Sequence, residues 1–438
     1  MPDLQQRAHD AVTLATSSGA QGVWATATRS RAVDFTGRDG ALETVQENTS
    51  RRLALELYVD GRYSSHSTTS LKPERLQAFV AEAVALTRAL EPDPHRTLPD
   101  PALFAGRSDA DLQILDPAVD ALTTEQRQRW LDAIDAAARS DDRVISATGS
   151  VSSTKSDGAM ASSNGFEGQW SGSQVWLGAS VTVRGEGDSR PEGDRWIGAR
   201  RLDQLYAADV LATEALARAT ERLGSQKGPT DTLTMIVDPT AGGRLISSLI
   251  GAANARSVSQ GRSFWAGKQG QALFAPALSI VDDPLLPGGL GSRHFDGEGI
   301  ASRRLSIVES GVVGDLYVDT YYGRKVGMTP TSGSRSNVIV QPSVAKDLKG
   351  LLQDVGEGIY VTSWLGGNSD GTTGDFSLGL RGHLVHKGQI GRPVGEMNVT
   401  GNLADLFGRL EAVGNDPSPY RSMQVPTLVF RGVQFSGA

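Results

Sequence analysis

Fifty-one glycines are scattered through 438 residues with no G-X-Y period. They make up about 12% of the chain against a usual ~7%. Glycine permits the backbone turns that other residues resist, so the chain is expected to be β-rich, with many tight connections. A collagen-like rod is excluded by the missing period. Apolar residues are 39% and charged residues 21%, ordinary values for a folded chain with a real core. The length exceeds one average domain of ~150 residues, so two or three are expected.

The 43 basic and 50 acidic residues leave a net charge of −7. Bulk attraction to phosphate backbones is absent, and nucleic acid is not expected as the main partner. There is no cysteine, which removes disulfides, thiolate zinc sites, iron–sulfur clusters and a cysteine nucleophile. The start, MPDLQQRAHDAV, lacks a basic stretch followed by an apolar run. No stretch reaches 18 apolar residues, so no membrane contact is expected. A cytoplasmic location follows as the expectation.

Local patterns divide the chain. Leu4, Ala8, Ala11, Val12 and Ala15 predict a helix over 3–18, followed by a strand over 22–35. Leu53, Leu55, Leu57 and Val59 alternate before Asp60-Gly61, which predicts a hairpin over 52–65 with a type I′ turn. A helix is expected over 72–91. Pro92, Pro94, Pro99, Pro101 and Pro117 then mark a connector. A helix over 123–139 begins at Thr123 or Thr124, an antiparallel meander spans 143–200, and a helix covers 203–223. Residues 232–239 form a strand ended by Pro239, a helix covers 240–255, and short strands fill the rest. The expected divisions are 1–92, a connector 93–118, 119–227 and 228–438. The fold class is α+β: an N-terminal region with antiparallel hairpins and a meander, then a β-dominated C-terminal domain.

Several motifs invite chemistry and meet simpler readings. His383 and His386 lie in RGHLVHKG, a strand pattern, and residues three apart in a strand face opposite ways. His294 sits among Asp282, Asp283, Asp296 and Glu298, where a hard cation or an acid–base pair is conceivable. The alternative, favoured by the turn-rich sequence, is that these carboxylates cap backbone N–H groups. Gly261–Lys268 has five residues between its glycines and then Gln269, out of register for a phosphate loop. Ser152 and Lys155 have S-x-x-K spacing but sit in a strand pattern, without the S-D-N or K-T-G that would accompany it. Three dense polar-glycine segments remain, 279–303, 315–337 and 371–380. They fit either a main-chain-lined groove with Arg293, Arg324, Arg335, Tyr321 and Tyr322, able to take an extended peptide, or tight packing of an unusual β domain.

These same segments resemble the TldD/TldE (PmbA) family. The match runs through GRSFWAGKQGQALFAPALSIVDDPLLPGGLGSRHFDGEG, the Val312–Met328 region, TGDFSLG at 373–379, GNL at 401–403 and GND at 414–416. The resemblance implies a C-terminal domain of the TldD/PmbA type and a metallopeptidase complex. In one member, H-E-x-x-x-H on the helix after the first strand of that domain and a later cysteine hold zinc, and the glutamate activates water. The equivalent helix here, TAGGRLISSLIGAANARSV (240–258), has no His, Glu, Asp or Cys, and no histidine occurs between His95 and His294. The chain therefore resembles the TldE/PmbA side, with no catalytic residue and no metal ligand of its own. A zinc-bearing homologue is the implied heterodimer partner and peptides the implied substrates. Arg293, Asp296, Glu298, Tyr321 and Arg324 are the expected peptide contacts. A homodimeric peptide- or intermediate-binding protein without peptidase activity is the alternative, and a repurposed metal site at His294 is a third.

Overall fold

The computed structural model describes residues 2–437. Helix α1 (Pro2–Ser17) packs its alanine face on a sheet opened by β1 (Gly22–Arg38), β2 (Ala41–Val59) and β3 (Arg62–Thr68). Leu53, Leu55, Leu57 and Val59 of β2 are fully buried, as their alternation demands. Asp60 and Gly61 both take positive φ, 50° and 74°, the type I′ turn expected of that pair. Helix α2 (Pro73–Thr87) lies beside α1. The prolines then hold residues 93–116 without helix or strand, apart from one 3₁₀ turn over Pro101–Phe104. A short α3 (Pro117–Asp120) precedes α4 (Thr124–Ala138). Thr123 and Gln126 cap α4 reciprocally, each side chain accepting from the other's backbone N–H. The meander is β4 (Val144–Ser162), β5 (Glu167–Val183) and β6 (Glu192–Ala199), followed by α5 (Ala208–Thr220).

All six strands form one antiparallel sheet in the order β3-β2-β1-β4-β5-β6. The central pairing runs from Trp24 opposite Ser162 to Arg38 opposite Thr148. Segments 1–92 and 119–227 therefore share a sheet across the connector. Odd-numbered residues of β1 and β4 face the helices: Val23, Ala25, Ala27, Ala159 and Ala161 under α1 and α2, and Val33, Phe35, Ala147 and Val151 under α4 and α5. The even-numbered face is left for the C-terminal domain.

That domain starts with β7 (Gln226–Lys227), β8 (Asp231–Val237), α6 (Pro239–Gly251) and α7 (Ala255–Ser259). A glycine-rich stretch then carries only β9 (Ile280–Asp282), β10 (Leu305–Glu309), β11 (Val312–Val313), α8 (Thr320–Val326) and β12 (Val338–Val340). After α9 (Leu348–Val355) come β13 (Gly358–Ser369), β14 (Asp375–His386), β15 (Gln389–Asn402), α10 (Leu403–Gly408), β16 (Leu410–Val413), β17 (Met423–Gln424) and β18 (Leu428–Gly437). Strands β18, β8, β13, β14 and β15 pair in turn, and β15 pairs back to β18 through Met397–Gly437 and Val399–Phe435. The sheet thus closes on itself. Closure leaves those five strands few free edges and encloses Val237, Val361, Leu380, Met397 and Phe430, packed with Leu245, Ile246 and Leu249 of α6. A smaller sheet of order β11-β10-β9-β12-β17 stands beside it.

The expectation of short strands to the end of the chain needs correction. Strands β13, β14 and β15 have 12, 12 and 14 residues, and three helices interrupt the run. Bulges in β13 and β15 break the alternation that marks a long strand in sequence.

Close approach of β6 to α5 gives a direct test. A Cβ on Gly193 would stand 2.3 Å from the Ala215 carbonyl oxygen and the Ala219 nitrogen. Gly193→Ala is expected to cost about 2 kcal/mol or more by overpacking against backbone, seen as a lowered urea midpoint. Gly251→Ala, with nothing within 4 Å of its added carbon, is expected to leave the midpoint unchanged or slightly raised.

Candidate functional site

Strand β8 ends by delivering Asp238 to the start of α6. Its carboxylate accepts from the Thr240 N–H (2.8 Å) and from the Thr240 hydroxyl, so it caps the helix. Tyr360 donates to the other oxygen at 2.6 Å, and Arg218 lies 3.6 Å away. Ala241, Gly242, Leu245, Ile246, Leu249 and Ile250 face the core. The outward stripe is Gly243, Arg244, Ser247 and Ser248, all half-buried. Arg244 donates to the Gly367 carbonyl (2.9 Å), Arg335 donates to Ser247 (3.0 Å), and Ser369 bonds Ser248 (3.0 Å).

The acidic residues around His294 serve the backbone, the simpler of the two readings made from sequence. Asp282 accepts from the Tyr317 hydroxyl (2.7 Å) and from Ser336. Asp283 accepts from the Leu285 N–H, and Asp296 from those of Glu298, Ile300 and Gly333. Glu298 accepts from the N–H and hydroxyl of Thr320, both at 2.8 Å. Among the described residues, no three His, Asp or Glu side chains stand together as a metal site. Arg293, His294 and Asp296 do line one pocket of about 370 Å³, with Met160 and Trp170 from the bare face of the N-terminal sheet. The Nδ1 atom of His294 is buried there without a partner. Arg293 itself is turned to the Ser334 and Arg335 carbonyls and the Ser332 hydroxyl.

Tyr321 and Arg324 stand elsewhere, at the joint between α8 and the proline-rich connector. Tyr321 donates to Asp93 at 2.8 Å, and Arg324 donates to the carbonyls of Thr97 (2.9 Å) and Leu98 (2.7 Å). The Arg96 guanidinium lies 3.6 Å over the Tyr321 ring and 4.3 Å over Tyr63, a cation–π clamp. Burial holds the carboxyls of Glu56, Asp296 and Glu298 in their protonated forms above the usual range, and pushes Glu298 to about 7. All five expected peptide contacts are thus engaged within the chain: Arg293 and Asp296 at the His294 pocket, Tyr321 and Arg324 at the connector, and Glu298 on Thr320 at the start of α8.

Residues that the sequence did not single out line a longer cleft between β6 and α5 on one side and the barrel on the other. Three connected cavities of about 240, 660 and 410 Å³ share Thr362 and Arg222. His383 lies buried in its wall, bonded through Nε2 to the Glu221 carbonyl at 3.1 Å, while His386 is exposed on the opposite face of β14. The two histidines point apart, as strand periodicity requires. The only local sequence signal for this cleft is Arg218 and Arg222, one turn apart at the end of α5.

Domain models of the PmbA/TldA metallopeptidase family match three segments: domain 1 over 26–87, the central domain over 117–223 and the C-terminal domain over 230–437. The chain belongs to this family. The Haemophilus influenzae metalloprotease PmbA homologue is 28% identical across 99% of this chain and 96% of its own length. A crystal structure of a proposed DNA gyrase modulator from Bacteroides thetaiotaomicron is 35% identical, covers both chains fully and superposes with a TM-score of 0.96. TldE from Thermococcus kodakarensis shares the fold at a TM-score of 0.87 and 16% identity, over 98% of this chain and all of its own.

The PmbA/TldA domain limits fall where the structure changes, at the end of α2, the start of α3 and the start of β8. The zinc motif implied by the family resemblance needs side chains at positions i, i+1 and i+5 on the outward stripe of α6. Gly243, Arg244 and Ser248 occupy such a triplet, and none is suited to hold zinc. The residues present do not fit the metal.

The raised carboxyls make stability depend on pH. In the folded state Glu298 keeps its proton up to about pH 7, whereas the unfolded chain releases it near 4.5. Stability therefore falls as pH rises through that window. Glu298→Gln is expected to remove up to about 3 kcal/mol of this loss, so its advantage in melting temperature over the parent should grow from pH 5 to pH 8. An equal offset at both pH values would refute the assignment.

Proposed function

We propose that this chain is the metal-free subunit of a PmbA/TldA-type peptidase. A zinc-bearing homologue supplies the metal and the hydrolysis, and this chain supplies binding surface for unfolded or extended peptides. The observation that carries the reading is the outward stripe of α6, where Gly243, Arg244, Ser247 and Ser248 stand in place of ligands and base. Assembly is supported by the sheet edge. Strand β3 covers β2 only from Leu53 to Val59, so Ala41–Arg52 pair with β1 on one side and, among the described residues, with no strand on the other. An open edge of this length takes a strand from another chain. Among the described residues no helix is long and apolar enough to cross a membrane, and a cytoplasmic setting goes with this reading.

Elemental mass spectrometry of the purified tag-free chain is expected to find clearly less than one zinc, iron or manganese per chain. Mixing with a zinc-bearing homologue is expected to give a heterodimer by light scattering and a rise in peptide hydrolysis that this chain alone lacks. One metal per chain, or hydrolysis by this chain alone, would overturn the proposal. A homodimer that binds peptide and leaves the homologue unaffected would replace it with the binding-protein reading.

A further inference from the structure

The cleft between the N-terminal sheet and the barrel carries a charge pattern at odds with the rest of the protein. The chain is net acidic, at −7, yet arginines crowd this cleft. Some are neutralised in place: Arg195 pairs with Glu214 at 2.7 Å, and Arg218 lies 3.6 Å from Asp238. Others are not. Arg222 donates to the Glu192 carbonyl and, at 3.4 Å, to the Ser363 hydroxyl, but meets no carboxylate. Among the described residues, the Arg381 and Arg421 side chains meet neither a hydrogen-bond acceptor nor a carboxylate, and Arg381 is bonded only through its backbone. Burial depresses the basicity of Arg222 and Arg421, and neighbouring arginines lower it further, Arg381 beside Arg222 and Arg195 and Arg218 beside Arg421, while Asp194 and, at Arg222, Glu192 offset part of this. Like charges are thus held together at a partly desolvated site, an arrangement that an anion relieves.

We propose that this cleft binds extended peptide segments rich in Asp and Glu. Three observations set the ligand class. The free guanidiniums are spread along three connected cavities, so a single small anion reaches only a fraction of them. A guanidinium matches the geometry of a carboxylate through paired N–H donors. The walls between the charges mix polar groups with apolar and aromatic ones, Trp196 and Trp364 at one end and Ile390 and Pro393 further along, which suits the stems and backbone of a peptide. His383 adds a buried imidazole whose Nδ1 has no partner. Its Nε2 is committed to the Glu221 carbonyl, so Nδ1 is the ring atom left to meet a ligand. The inference concerns this chain alone and stands or falls independently of any zinc-bearing partner.

The test uses the full-length chain and fluorescein-labelled ten-residue peptides, one alternating Glu and Ala and one alternating Lys and Ala, read by fluorescence anisotropy. The acidic peptide is expected to bind at least tenfold more tightly and to weaken as salt rises from 50 to 300 mM. Arg381→Glu combined with Arg421→Glu removes two side chains that bond nothing, so the fold is expected to persist by circular dichroism and affinity to fall at least tenfold. Arg75→Glu, exposed on α2 and away from the cleft, is the control for general charge and is expected to leave binding unchanged. Equal affinity for the two peptides, or an unaffected double variant, would overturn the proposal. Two competitors separate other anions. Full displacement of the acidic peptide by millimolar inorganic phosphate, or tighter binding of a ten-nucleotide single strand, would overturn the peptide assignment. Persistence of peptide binding against both would uphold it.

Discussion

The pairing of β1 with β4 is the constraint on which the rest of the molecule depends. It joins segments more than a hundred residues apart through an unbroken register from Trp24–Ser162 to Arg38–Thr148. Because side chains alternate, one register fixes two faces at once. The odd face takes four helices and two apolar clusters, one under α1 and α2 and one under α4 and α5. The even face carries Ser30, Ser156, Met160 and Trp170, and there the C-terminal domain docks through Phe295 and its neighbours. A slip of one residue would exchange the two and abolish both the core and the docking surface.

The C-terminal domain spends its polar groups on itself. Its glycine-rich loops have few ladder hydrogen bonds, so their N–H groups need other acceptors. Asp282, Asp283, Asp296 and Glu298 supply them. This is why an acidic cluster that looks like a metal site in sequence is a set of loop braces in three dimensions. The same economy explains α8, whose Tyr321 and Arg324 hold the connector. The arginines of the cleft differ, because several lack such partners.

What the sequence disclosed follows from the range of the interactions involved. Asp60-Gly61, a helix start at Thr123 or Thr124 and the opposite facing of His383 and His386 are local, and each was legible from a few residues, though the reciprocal bond from Gln126 was not. The carboxylate braces were legible as a class, through turn composition, though their acceptor roles for Gly333 or Ser336 needed the fold. Two features were not legible. Closure of the barrel depends on β15 meeting β18, and the bulges in β13 and β15 hide the period that would announce long strands. The arginine cleft draws on β6, α5, β13, β14 and the loop at Arg421, and no short window of sequence contains more than two of its arginines.

Closure of the barrel by its last strand also orders events in time. Strand β18 is the neighbour of β16, β8 and β15 at once, and Gly437 bonds the hydroxyl of Thr230 at 3.0 Å. The six-strand sheet and its helices are complete once α5 has emerged from the ribosome. The barrel, by contrast, stays open along β8 and β15 until residue 437 is free. Throughout that interval the outward arginines of α5 face a half-built wall. The nascent chain thus carries a finished domain beside an unclosed one, and chaperone protection falls due there rather than at the N-terminal sheet.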